Sequence, residues 1–157
     1  MGVGVVLRRL VAAVAGIALL AEAAVLVFVH IVLGRTTHNQ SMSIAGMDPD
    51  VMSKATYAMG AGMGAFLLLC AALLAVAAIR DRAPGRFARV VLVGAAVTHG
   101  LLGAIAVGLF GWIVFTALMV MLCLLVLSLM LYAAKGAGGG GDGGAAAPQR
   151  GLTPTSP

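Results

Sequence analysis

Four apolar stretches, residues 10–33, 57–79, 90–110 and 112–132, take up most of this chain. A helix needs about 20 mostly apolar residues, at 1.5 Å rise each, to cross about 30 Å of hydrocarbon, and all four are long enough. Apolar surface on this scale does not stay in water. In lipid, a chain must satisfy its backbone polar groups internally, which helices do. The pattern predicts an all-α integral membrane protein, a four-helix up-and-down bundle made of two helical hairpins. Composition agrees: 62% of the residues are hydrophobic and 10% charged, against roughly 45–50% apolar in soluble domains.

The charges give the expected orientation. Arg8, Arg9, Arg80, Arg82, Arg86, Arg89, Lys135 and Arg150 fall at one end of the spans, and Arg35 and Lys54 at the other. Short loops rich in Lys and Arg stay in the cytoplasm. Residues 1–9, the basic loop 80–89 and the tail 133–157 are therefore expected inside, with loop 34–56 outside. The net charge of +5 then faces lipid phosphates rather than nucleic acid. Phe28, Tyr57, Phe110 and Trp112 are placed to mark the outer boundary, and Phe87 and Tyr132 the inner one.

Arg8-Arg9, an apolar run and Ala21-Glu22-Ala23 imitate a cleavable signal. The apolar run continues to residue 33, so the segment is read as a retained span. Residues 90–132 carry no polar break, yet as one helix they would reach about 65 Å, twice the bilayer core. The chain must turn near Gly108, Gly111 and Trp112. Asp48-Pro49 reads as a helix start, with Asp48 capping and Pro49 in the first turn. The Gly-, Ala- and Pro-rich tail is expected to be disordered.

Helices in lipid associate through close packing of small side chains. Ala96, Gly100, Ala104 and Gly108 recur every fourth residue on the third span, and Gly60 and Gly64 do so on the second. The third span is therefore expected to be the central packing element, with Gly100→Leu the most damaging substitution.

Glu22 lies twelve residues into the first span, where a carboxyl costs a few kcal/mol and needs a partner. It reads either as a proton or cation site or as a hydrogen-bonded packing residue. His99 lies at similar depth on the third span and is the expected partner. Cys70 and Cys123 also fall at this depth, one per helix, but no local ligand spacing supports a metal, and no cofactor is expected. Met42, Met47, Met52, Met59 and Met63 are suited to Cu(I), but are read here as flexible apolar filler. No nucleophile–base pair, phosphate loop or paired carboxylate points to an enzyme.

The lone first-span carboxylate among four spans resembles the small multidrug resistance transporters. That resemblance implies that Glu22 exchanges protons for cationic drugs within a dimer. This chain departs from that family in lacking aromatic residues in its third span and in its long first outer loop. The segment from Asn39 through Pro49, with the Arg80–Arg86 loop and Thr98-His99-Gly100, resembles small four-span membrane proteins of actinobacteria. The leading expectation is a non-enzymatic protein of a bacterial plasma membrane, acting by association as an accessory subunit or homo-oligomer. Its expected partners are the lipid bilayer and a homodimer mate or larger membrane complex. The alternative is a small proton-coupled exporter with Glu22 as its coupling carboxylate.

Overall fold

The computed structural model describes residues 2–39, 46 and 48–138, the side chains of 135–138 excepted. Four α-helices follow in order: α1 (Val3–Asn39), α2 (Pro49–Arg80), α3 (Arg86–Leu109) and α4 (Trp112–Gly138). All four are long and apolar enough to cross a membrane. Among the described residues there is no strand.

Each helix is longer than its apolar stretch, extending beyond it at one or both ends. Helix α1 begins at Val3 and runs to Asn39, well into the expected loop. Helix α4 continues past residue 132 to Gly138. The rest of the expected tail, 139–157, lies outside the described residues, as do Met42 and Met47.

The turns follow their residue chemistry. Asp48 caps α2 with extended backbone, and its carboxylate accepts from Asp50 N at 2.8 Å. Asp81 ends α2 in the left-handed region, at φ 47°. Helix α3 ends at Leu109, and Phe110 with Gly111, the latter at φ 81°, makes a two-residue turn into α4. The amides of Phe110 and Gly111 both reach back to the Ala106 carbonyl, at 2.8 and 3.0 Å. Gly108, also expected at this turn, is an ordinary helical residue facing outward.

The helices form a ring. Helix α1 packs along most of α2, α3 packs on α4, α1 meets α4 over a shorter stretch, and α2 only grazes α3. Diagonal helices do not approach backbone to backbone. The core lies along the axis: Ala15, Leu19 and Ala23 of α1 meet Leu67, Cys70, Ala71 and Leu74 of α2. Leu92, Ala95 and Ala96 of α3 close it with Met121 and Leu125 of α4.

The tightest seam is α1–α2, which corrects the expectation that the third helix is the packing centre. Gly60 lies against His30, and a Cβ built at Gly64 would stand 2.5 Å from Val27 Cγ2. On α3 the four-residue stripe leaves the core as it climbs. Ala96 is buried, Gly100 half-buried, and Ala104 and Gly108 exposed. The cause is geometric: with 3.6 residues per turn, each step of four rotates the stripe by about 40°. The face that packs mixes steps of three and four, through Leu92, Ala95, His99, Gly103 and Ala106, with Ala96 beside it. Gly103, absent from the expected set, is the tight glycine of this helix, lying against Met119.

Candidate functional site

At the middle of the ring one polar pair bridges the diagonal. Glu22 on α1 and His99 on α3 belong to helices that do not pack on each other. Only two long side chains reaching across the axis can meet there. His99 Nε2 lies 3.0 Å from Glu22 Oε2 and 3.2 Å from Oε1. The other ring nitrogen, Nδ1, donates to the Ala95 carbonyl one turn back, at 2.7 Å. A carbonyl only accepts, so Nδ1 carries hydrogen.

That bond fixes the chemistry of the pair. With Nδ1 protonated, Nε2 either accepts a proton from a carboxylic acid or donates one to a carboxylate. In both forms the pair carries one shared proton between Nε2 and the carboxyl and is neutral overall. Neutrality suits a site set among apolar side chains, where an uncompensated charge is expensive.

The two partners are not equally enclosed. The His99 side chain is 3% exposed and the Glu22 side chain 27%. Glu22 opens into a groove of about 950 Å³ between α1 and α4. Ala18, Ala21 and Val25 form one wall, and Ala117, Val120 and Leu124 line the other. Trp112 and Ile113 stand at its far end, away from the termini. Trp112 meets Phe115 edge to face, with ring centroids 5.8 Å apart. Among the described lining residues the other polar groups are the Trp112 indole N–H at the far end and Thr116, whose hydroxyl is spent on the Trp112 carbonyl at 2.8 Å. The groove is thus an apolar slot with one carboxyl in its wall.

The remaining sequence candidates fall elsewhere. Gly60 and Gly64 serve the α1–α2 seam, and Ala96 the core. Cys70 is buried, whereas Cys123 faces outward, so the four-helix ligand set does not assemble. Among the described residues no three His, Cys, Asp or Glu side chains gather as a metal site.

Sequence reasoning missed the closure of the end that bears the N-terminus. Arg8 grips Asp81 through three hydrogen bonds of 2.7–3.0 Å. Its guanidinium also stands 5.4 Å from the Tyr132 ring centre. Tyr132 is 1% exposed and donates to the Ala77 carbonyl at 2.9 Å. It clamps the helix ends together there. Ser53 was missed too: it is buried and donates to the Gly34 carbonyl at 2.8 Å, tying α2 to α1 at the opposite end. One signal pointed to Arg8, since Asp81 is the one acid in the basic loop 80–89.

Comparison with protein families, with characterised proteins and with solved structures finds no match to this chain.

Proposed function

We propose that this chain is a multi-pass protein of a bacterial plasma membrane, with both termini in the cytoplasm, and works as a small proton-coupled exporter. Glu22 is its coupling carboxylate and His99 the group that holds it. The orientation rests on the basic residues at the end bearing the N-terminus. The exporter reading rests on one observation: the neutral Glu22–His99 pair opens, through Glu22 alone, into an apolar groove.

A lipophilic cation entering that groove would add a positive charge beside a neutral pair. Losing the shared proton restores neutrality, so binding and deprotonation are coupled by the cost of charge in a low dielectric. The exchange needs no metal, cofactor or covalent step. In liposomes holding the full chain, efflux of tetraphenylphosphonium should take up protons in the opposite direction, and Glu22→Gln should abolish both fluxes. Equal fluxes in the Gln variant would sink the reading.

A second reading, action by association as an accessory subunit or homo-oligomer, draws on a different observation. Gly94, Ala104 and Gly108 face outward on α3, and nothing among the described residues covers them. Small outward residues let another helix approach closely. Native mass on tagged protein from its own membranes separates the two: a larger partner at fixed stoichiometry favours association over export. Membership among the actinobacterial four-span proteins is part of the same proposal.

A further inference from the structure

A second groove, of about 430 Å³, lies between α1 and α2 at the end bearing the N-terminus, lined by Val6, Arg9, Leu10, Ala13, Ala78 and Ile79. Arg9 is its only charged wall residue. Its Nε donates to the Ala78 carbonyl at 2.8 Å, which holds the guanidinium in place. Its two terminal nitrogens have no partner among the described residues. Arg80, adjoining Ile79, is exposed at the same end. The nearest acid in sequence, Asp81, is gripped by Arg8.

Depth decides what fits. Arg9 is thirteen residues before Glu22, about 20 Å along the helix. With Glu22 near the bilayer centre, that puts the guanidinium at headgroup level and the apolar wall below it at acyl level. An arginine with free terminal nitrogens, above an apolar slot with no acid, complements a phosphate carrying an acyl chain.

We propose that this groove binds one anionic phospholipid of the cytoplasmic leaflet. Its phosphate sits on Arg9, and its chain lies along Leu10, Ala13 and Ile79. A zwitterionic lipid is disfavoured because it brings its own cation to an end that already holds Arg9 and Arg80. The inference rests on the proposed membrane placement of this end and not on proton exchange at Glu22.

Native mass spectrometry of the full chain in mild detergent, titrated with phosphatidylglycerol, phosphatidylcholine or glycerol 3-phosphate, tests it. One phosphatidylglycerol should bind in preference to phosphatidylcholine. Arg9→Gln should weaken it about fivefold or more. Ala13→Leu, which fills the slot and leaves every charge in place, should weaken it comparably. Arg82→Gln removes the same charge away from the groove and should leave binding intact, as should Glu22→Gln. Equal losses from Arg9→Gln and Arg82→Gln would mean diffuse attraction and overturn the site. So would full binding in Ala13→Leu, equal phosphatidylcholine binding, or displacement of the lipid by glycerol 3-phosphate.

Discussion

A methyl group placed at Gly64 would press on Val27, and one at Gly34 would stand 2.5 Å from Tyr57 Cε1. At Gly100 the nearest neighbour is Leu122 Cδ2 at 3.9 Å, an ordinary contact. The order of damage therefore reverses the expectation from the sequence. Gly64→Leu should destabilise the fold by about 1–3 kcal/mol or more through overpacking, and Gly100→Leu by less. Denaturation of both variants in detergent, by loss of helical circular dichroism, ranks them. Glu22→Gln belongs at this scale too. A Gln amide can donate to an unprotonated His99 Nε2, so the variant keeps the diagonal bond and lacks only the titratable group. His99→Ala leaves the carboxyl without its partner and should cost about 1–2 kcal/mol. If Glu22→Gln proves the less stable of the two, the shared-proton arrangement is wrong.

Among the helices, what could be read ahead of the structure was whatever rests on a local rule. The α2 start at Pro49 and the turn at Gly111 were legible, because a capping carboxylate and a positive-φ glycine act within a few residues of themselves. Asp48→Ala should cost about 1 kcal/mol. Ser53→Ala should cost a similar amount by removing a buried bond between α1 and α2. Thermal unfolding followed in the same detergent checks both. The pairing of Glu22 with His99 was legible from their similar depth along apolar helices and from the inward face of His99, since a polar group in such a helix needs a partner. Which faces pack was not. The stripe from Ala96 to Gly108 looks continuous in sequence and drifts about 120° on the helix. Neither the Arg8–Asp81 grip nor the burial of Tyr132 follows from any local pattern, because each depends on how three helix ends converge.

For the whole molecule, the division of labour runs along the bundle axis. At one end Arg8, Asp81, Arg9 and Tyr132 tie α1, α2 and α4 together. Removing Asp81 as Asp81→Asn and Arg8 as Arg8→Gln, singly and together, should show a coupling of about 1–3 kcal/mol. At the other end α1 and α2 hold each other through Ser53 and through His38 Nδ1, 2.8 Å from Asp50 Oδ1. Between these ends sits a neutral pair with one shared proton, opening into an apolar groove. The most direct measurement is the number of protons released when the purified chain, in weakly buffered detergent with a pH-sensitive dye, binds tetraphenylphosphonium. One proton released per cation bound by the native chain, and none by Glu22→Gln, is the result predicted. Cation binding without proton release, or equal release from the Gln variant, would contradict the coupling role of Glu22.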